Sequence, residues 1–223
     1  MSTFDEGYFK TYLNNPKRIL RYRNEISFIQ SYQSSKGLAI DFGCGLGGFM
    51  RELQINGWEC LGFDVSQHAV SFCQQQGLRS ELITKTEELE GTYNADLLVL
   101  RGVIQHLPDF EQDLSNLVSN LKPGGLLAIL ASPNCDSLVF RKFGRLPALE
   151  PVNVRNLPTA RNTIRTLQQL NFHITRIRYP YLRSGYASPI KDLTKFLFLR
   201  PGGVRNVPSF YGNIMDILAR KNY

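Results

Sequence analysis

The sequence lacks the long apolar runs and the cysteine patterns that define several large classes of protein. No run approaches the ~20 apolar residues of a membrane-spanning helix, and the N-terminus has no basic stretch followed by an apolar one. The four cysteines form neither a C-x-x-C pair nor a set with histidine at metal-ligand spacing. We therefore expect reduced thiols, no zinc site and a cytoplasmic location.

Acidic residues are scarce in the second part of the chain. The first 134 residues hold 11 Lys/Arg and 15 Asp/Glu, whereas the remaining 89 hold 15 Lys/Arg and 4 Asp/Glu, so the net charge of +7 arises entirely in the second part. Such an excess is typical of a surface that meets an anionic partner, and equally of a solvated basic face.

Apolar runs and helical patterns alternate through most of the 223 residues, of which 43% are hydrophobic. This alternation is typical of an α/β fold with a parallel sheet and helices on both of its faces. A chain of this length is predicted to form one domain. We predict strands at 37–42, 58–63, 78–84, 95–100, 126–131, 172–179 and 210–220, and helices at 47–56, 66–76, 109–121 and 159–170.

Three segments do not follow the alternation. Residues 1–36 are predicted to be a helical extension that precedes the core at 37–131. Residues 132–158 and 180–207 contain several prolines among basic residues and are predicted to be irregular insertions, with a helix at 190–199 inside the second. We expect both insertions to lie over the carboxyl edge of the sheet and to shape a pocket there.

A glycine-dense turn follows the first predicted strand, at Gly43-Cys44-Gly45-Leu46-Gly47-Gly48. Glycines at such a turn let the backbone approach a ligand closely and present free N–H groups to it. The spacing of Gly43, Gly45 and Gly48 also satisfies the dinucleotide fingerprint, and Asp64 lies where an acid would hold a ribose diol. The loop alone therefore leaves a dinucleotide and other nucleosides open.

Asp41 helps to distinguish these ligands, because its carboxylate would suit an ammonium group better than a pyrophosphate. Three further segments follow in order: Leu61-Gly62-Phe63-Asp64-Val65-Ser66, residues 95–109, and Leu121-Lys122-Pro123-Gly124-Gly125-Leu126-Leu127. With these segments the sequence resembles the class I S-adenosylmethionine (SAM)-dependent methyltransferases, in the branch that includes ubiquinone-biosynthesis O-methyltransferases. Residues 213–221 resemble the last strand of that family.

The resemblance implies a Rossmann-like, mostly parallel sheet of seven strands in the order 3-2-1-4-5-7-6, with strand 7 antiparallel. It also implies SAM as the cofactor and S-adenosylhomocysteine (SAH) as the product. Asp64 would accept both ribose hydroxyls and Val65 would pack against adenine. The residues that would line the methionine part of SAM are Asp41, Gly43, Cys44, Gly45 and Gly47.

Two features depart from the family's pattern. Lys85 stands where an acid often meets the adenine amino group, so we expect Thr86 or Glu87 to replace that contact. Gly102 and Gln105 occupy positions where the ubiquinone-type enzymes offer two glutamates linked to metal binding. Without these hard oxygen ligands we expect no divalent metal.

Other candidate residues lie around the predicted loop. His106, just beyond the fourth strand, is the candidate base for a hydroxyl acceptor, with a capping or packing role as the alternative. Arg101 could reach the methionine part of SAM or the acceptor. Tyr8 and Tyr12 could close over SAM or pack against the core, and Arg23 could meet the SAM carboxylate.

The predicted function is methyl transfer from SAM to a small molecule, with a hydroxyl oxygen as the expected acceptor atom. Several basic residues in and after the insertions favour an anionic acceptor: Arg141, Lys142, Arg145, Arg155, Arg161, Arg183 and Lys191.

Alternatives to this function remain open. One is an RNA or other nucleic-acid methyltransferase, which is disfavoured because Arg101-Gly102-Val103-Ile104 is not the Asn/Asp-Pro-Pro-aromatic arrangement used on base amino groups and because no RNA-binding module is visible. Another is a SAM-binding partner protein without catalysis. The helix at 190–199 could act as a lid, or could contact a membrane surface or a second subunit.

Overall fold

The computed structural model describes residues 15–147, 149, 154–182, 187–199 and 207–223. In these residues seven strands and seven α-helices follow one another along the chain. They are α1 (Pro16–Gln30), β1 (Leu38–Phe42), α2 (Gly48–Ile55), β2 (Glu59–Asp64), α3 (Gln67–Gln75), β3 (Ser80–Leu82), β4 (Ala95–Arg101), α4 (Phe110–Val118), β5 (Leu121–Pro133), α5 (Leu138–Phe143), α6 (Ala160–Gln169), β6 (Phe172–Arg178), α7 (Pro189–Phe198) and β7 (Ile214–Lys221).

The strands form a single sheet in the order β3-β2-β1-β4-β5-β7-β6. β1 pairs in parallel with β2 and β4, whereas β7 runs antiparallel to both β5 and β6. The predicted fold class, a Rossmann-like and mostly parallel sheet of seven strands, is confirmed. Because β7 runs against its neighbours, its first residues lie at the edge where the other strands end.

Alternating side chains of the central strands fill two cores, one on each face of the sheet. On β4, Leu98 and Leu100 belong to one core, whereas Leu97 and Val99 belong to the other. Helices α4 and α6 cover the first face, and helices α1, α2 and α3 cover the second. Strands buried on both faces have continuous apolar runs, which is why β1, β4 and β5 were recognisable in the sequence.

Several predicted boundaries are wrong. β3 has only three residues, 80–82, and β7 begins at Ile214 rather than at 210. The helix predicted at 109–121 ends at Val118, since Leu121 already pairs with Ala95 as part of β5. The helix predicted at 190–199 is confirmed as α7, at 189–198.

The insertion at 132–158 is less irregular than predicted, because it contains the short helix α5. The Ser137 hydroxyl accepts a hydrogen bond from the Phe140 N–H at 3.2 Å and so caps the start of this helix. Gly144 ends it in a left-handed conformation, with φ of +66°. The sequence did not indicate this helix, because it is only six residues long and the prolines and arginines around it are typical of irregular structure.

The N-terminal extension contributes α1, whose first turn is capped by the Asn15 side chain with Pro16 as the first helical residue. Tyr22, Ile26 and Ile29 form its buried stripe and pack on the second face of the sheet. The helical stretch predicted before it falls in residues 1–14, outside the described residues.

Candidate functional site

The glycine loop joins β1 to α2 and has the backbone that glycine alone adopts easily. Gly43, Gly45 and Gly47 have φ of +74°, +53° and +72°. A Cβ at Gly43 would lie 2.4 Å from Val103 Cγ2, whereas a Cβ at Gly45 would meet nothing within 4 Å. The loop therefore packs against Val103 at Gly43 and is open at Gly45, which leaves room for a ligand against the backbone.

Asp64 ends β2 beside this loop and is held by two backbone donors. The Gly45 N–H donates to its Oδ2 at 2.7 Å, and the Ser66 N–H donates to its Oδ1 at 2.9 Å. Both carboxylate oxygens are thereby fixed in direction while keeping lone pairs for further donors. Such a carboxylate can accept the two hydroxyls of a ribose.

Asp41 lies at the end of β1 and is almost completely buried. Its Oδ1 atom has no hydrogen-bond partner among the described residues. Burial raises the pKa of this carboxyl to about 7, an effect that the positive charge of Arg101 partly opposes. A buried carboxylate oxygen without a partner, next to an open glycine loop, is the arrangement expected of a group that meets a cationic ligand.

Arg101 ends β4 and is tied to the N-terminal helix. Its Nε donates to Glu25 Oε2 at 2.6 Å and its Nη2 donates to Glu25 Oε1 at 3.3 Å. Arg21 also donates to Glu25, at 3.0 Å, and the Tyr22 ring lies 4.7 Å below the Arg101 guanidinium carbon. Glu25 is buried and forms ion pairs with two arginines at once, so the three side chains together keep one positive charge.

A cavity of about 830 Å³ opens at the same edge of the sheet. Its floor comes from the ends of β4, β5 and β6 and the start of β7, and α1 forms one wall. Arg101 and Gly102 line it at the end of β4. Because β4 pairs with β1, and the glycine loop follows β1, the cavity adjoins the loop. This volume lies within the range of small-molecule sites.

A second ion pair lines this cavity. Arg178 at the end of β6 donates through Nε to Asp216 Oδ2 at 2.8 Å, and Asp216 Oδ1 accepts from the Ala131 N–H at 2.8 Å. Burial raises the pKa of Asp216, and the Glu25 charge adds to this effect. Neither Arg178 nor Asp216 was a candidate from the sequence, where each is one charged residue in an alternating strand.

The turn after β3 does not leave the Thr86 side chain open. Its hydroxyl donates to Asp113 Oδ1 at 2.6 Å and accepts from Asn116 Nδ2 at 3.1 Å, both on α4. Lys85 and Glu87 are exposed in this turn. A contact between this turn and adenine stays a prediction, for which the backbone of Thr86 and the side chain of Glu87 are available.

His106 lies in a short 3₁₀ turn after β4, with an exposed ring. Its Nε2 is 3.1 Å from Gln105 Nε2. The Asn156 side chain stabilises the turn by donating hydrogen bonds to the carbonyl oxygens of Ile104 and Leu107. His106 is not among the described residues that line the cavity. Its role as a base stays a prediction.

The remaining sequence candidates fall in different places. Val65, next to Asp64, is 71% exposed, so its side chain is available to cover a ligand ring. Cys44 is buried, with its thiol near that of Cys73 under the Gly45 carbonyl. Arg23 forms an ion pair with Glu52 of α2 at 3.0 Å. Tyr8 and Tyr12 lie outside the described residues.

The basic residues that the sequence offered for an anionic acceptor do not line the cavity, as far as they are described. Arg141 pairs with Asp136 on the surface, and Lys142 contacts the Phe196 carbonyl oxygen and two aromatic rings. Arg183 lies outside the described residues. The cavity's positive charge comes instead from Arg21, Arg101 and Arg178.

The residues that the structure describes contain neither a cluster of potential metal ligands nor a membrane-spanning helix. Within these ranges no group of three or more His, Cys, Asp and Glu side chains could hold a metal ion. Within the same ranges no helix is long and apolar enough to cross a membrane.

The sheet order, the open glycine loop and the two acids at the ends of β1 and β2 define a nucleoside-binding α/β protein of the Rossmann-like class. A family model described as a methyltransferase domain matches residues 14–177. This span is well over half of the chain, and the chain belongs to that methyltransferase family. The family assignment made from the sequence motifs is thereby confirmed.

Curated relatives have low identity and match only part of the chain. The ubiquinone biosynthesis O-methyltransferase of Rickettsia prowazekii (strain Madrid E) is 31% identical over 105 residues, which are 45% of this chain and 41% of the relative. The protein with the same name from Rickettsia canadensis (strain McKiel) is 27% identical over 123 residues, 53% of this chain and 48% of the relative. The chain thus matches less than half the length of these relatives.

Solved structures share the fold at lower identity. A SAM-dependent methyltransferase from Archaeoglobus fulgidus superposes with a TM-score of 0.66 at 19% identity, covering 97% of this chain and 100% of that chain. The magnesium protoporphyrin IX methyltransferase of Synechocystis PCC 6803, solved with bound SAH, gives 0.62 at 15% identity, covering 100% and 90%. At these identities the likeness extends to the fold alone.

Proposed function

We propose that this protein is a SAM-dependent methyltransferase that binds SAM on the glycine loop and methylates a small molecule in the adjoining cavity. The observation that carries the proposal is the buried Asp41 carboxylate, whose Oδ1 has no partner among the described residues beside a loop that is open at Gly45. The ammonium group of SAM supplies the missing charge, and the backbone at Gly45 leaves space for its methionine part.

Two residues beside the loop have definite tasks in this proposal. Asp64, already oriented by two backbone donors, accepts the ribose hydroxyls, and exposed Val65 covers the adenine ring. Bound SAM supplies a methyl group on a positively charged sulfur. The chain's contribution is to hold an acceptor in line with that methyl group in a site from which water is excluded.

We propose an oxygen atom as the acceptor and His106 as the base that removes its proton, from an acceptor that extends out of the cavity past Gly102 to the turn that carries His106. His106 follows β4 at the carboxyl edge, whereas His68 lies on α3 and His173 at the opposite end of β6. Gly102 and Gln105 provide no carboxylate, so the proposed transfer uses no divalent metal. Replacement of a general base typically lowers kcat by about 10²–10⁴, which is the loss expected for His106→Ala.

Calorimetric titration with SAH tests the binding part of the proposal. Asp64→Asn should weaken SAH binding by about 10- to 100-fold, because hydrogen bonds to a charged acceptor contribute roughly 1.5–3 kcal/mol. Glu59→Gln is the matched control, since Glu59 is an exposed carboxylate on the same strand that pairs with Arg79. Tight binding of NAD without any binding of SAH or SAM would contradict the proposal.

Transfer of a labelled methyl group from SAM to small molecules of a cell extract tests catalysis. Label found only in RNA, lost at high salt, would favour the nucleic-acid alternative. SAH binding without any transfer would favour a SAM-binding partner protein.

A further inference from the structure

Arg178 has an unusual degree of restraint for an arginine in a cavity wall. Its Nε donates to Asp216, and its guanidinium carbon lies 3.7 Å from the centre of the Phe28 ring on α1. Asp216 is in turn held by the Ala131 N–H. Contacts from β7 and from α1 therefore fix both the direction and the plane of this guanidinium group.

The two terminal nitrogens of the Arg178 guanidinium group make no hydrogen bond within the described residues. Neither Nη1 nor Nη2 of Arg178 has a partner among the described residues, and the side chain is 31% exposed beside a fully buried Asp216. By contrast, Arg21 and Arg101 share the buried carboxylate of Glu25. Arg178 thus presents parallel N–H donors to the cavity, a geometry that matches a carboxylate with two hydrogen bonds.

Aromatic rings form the neighbouring walls of the cavity. Tyr179 and Tyr211 lie with ring centres 5.8 Å apart, and Tyr181 and Phe210 lie at the same distance. All four residues line the cavity. Flat apolar faces next to a fixed arginine favour a ligand that combines a flat ring with an anionic group.

We propose that Arg178 anchors a carboxylate of the methyl acceptor, which is a flat organic anion bound in the cavity. Asp216 and Phe28 are positioning residues, because they hold Arg178 and leave its Nη nitrogens to the ligand. This inference rests on the proposed function only for the role of the ligand as acceptor. The binding of a carboxylate at Arg178 can be tested separately.

The test compares 2-naphthoate with its neutral counterpart 2-naphthamide by ligand-observed NMR titration, with and without saturating SAH. The wild-type protein should bind naphthoate about 10- to 100-fold more tightly, as expected for charge-assisted hydrogen bonds in a cavity. Arg178→Gln should remove this preference and leave SAH affinity unchanged. Arg176→Gln is the matched control, since Arg176 is an exposed arginine on the same strand, and it should keep the preference.

A conservative variant separates charge from geometry. Arg178→Lys keeps the positive charge without the planar fork, so we expect a preference between those of the wild type and Arg178→Gln. Arg178→Lys also provides the test if Arg178→Gln does not fold. Unfolding curves and SAH titration would show whether Arg178→Gln folds.

Two outcomes would overturn the carboxylate site: equal binding of both probes by the wild type, or an unchanged preference in Arg178→Gln. An unchanged preference in Arg178→Lys would overturn the two-hydrogen-bond geometry and leave a site held by charge. The titration without SAH makes these outcomes independent of SAM binding. Failure of SAH to bind while the naphthoate preference persists would overturn the proposed function and support the anion site.

Discussion

At the scale of single residues, the buried Asp41 carboxyl makes stability depend on pH. Its pKa is raised from 3.8 to about 7, first by burial and further by the charges of Asp64 and Glu25, while Arg101 lowers it. An acid whose pKa is higher in the folded state takes up a proton on folding at pH values between the two pKa values. The free energy of unfolding therefore falls as the pH rises from about 4 to about 7, and the loss is complete above that.

Asp41→Asn should weaken this pH dependence in the ligand-free protein. The wild type should lose about 4 kcal/mol of unfolding free energy across this window through Asp41, as one pKa unit corresponds to roughly 1.4 kcal/mol. Asp216 adds a loss of the same sign, because its pKa is also raised by burial, so a smaller dependence remains in the variant. Urea unfolding at pH 5 and pH 8 measures the part of this loss that falls above pH 5, which is about 3 kcal/mol for Asp41 in the wild type.

The control for this experiment is Glu59→Gln, which removes an exposed carboxylate from β2. It should keep the wild-type pH dependence. An equal pH dependence in Asp41→Asn and in the wild type would show that Asp41 stays ionised over the whole window.

At the scale of secondary structure, the start of α2 depends on a glycine that has a left-handed backbone and no room for a side chain. Gly47 has φ of +72°, and a Cβ there would lie 2.4 Å from Leu78 Cδ1 and 2.9 Å from Cys73 Sγ. Gly77, at the end of α3, has φ of +74° but open space around the same position. The two glycines thus share a backbone conformation and differ in packing.

Substitution of each glycine by alanine separates these two effects. Gly77→Ala should cost about 1–2 kcal/mol, the penalty of a side chain in the left-handed conformation. Gly47→Ala should cost about 1–3 kcal/mol more, because the added methyl group overpacks the core beneath the loop. Urea unfolding of both variants measures the difference, and equal losses would mean that Leu78 and Cys73 move aside freely.

At this scale it is also clear why the sequence predicted the glycine loop and did not predict the ion pair of Arg178 and Asp216 in the cavity. β1, the loop and α2 are consecutive, so a buried strand, four closely spaced glycines and an amphipathic helix were visible together. The Arg178 site joins α1, β6 and β7, which are distant along the chain. Local patterns carry no information on such contacts.

A bulge in β6 adds to this difficulty. The pairing of β6 with β7 shifts register between Ile174 and Arg176. As a result Ile174 and Ile177, three residues apart, both pack on the first core, and Arg178 turns to the opposite face. A regular strand would have placed Arg178 on the same face as Ile174, so strict alternation along the sequence does not lead to its position in the cavity wall.

At the scale of the whole molecule, Glu25 joins the N-terminal helix to the sheet at the point where the loop and the cavity meet. It is buried and holds both Arg101 of β4 and Arg21 of its own helix. Its charge also contributes to the raised pKa values of Asp41 and Asp216. A change at Glu25 should therefore affect stability and both parts of the site.

Glu25→Gln should lower the free energy of unfolding by about 3 kcal/mol, the usual cost of leaving buried charges without their partner. SAH should bind more weakly to this variant, since Arg101 loses the contact that holds it beside Asp41. Asp136→Asn is the control, because Asp136 pairs with Arg141 at 3.5 Å on the surface, and it should cost less than about 1 kcal/mol. Similar losses in both variants would show that Glu25 is not a central link.

β7 lies between β5 and β6 in the sheet, although both of these strands precede it along the chain. β6 consequently has no neighbour to pair with until β7 has been synthesised, and the two strands join the sheet together. During synthesis, β1 to β5 can assemble first, with the glycine loop and Asp64 already at their edge. We therefore expect the half of the site proposed for the methyl donor to form on the ribosome before the half that holds Arg178 and Asp216.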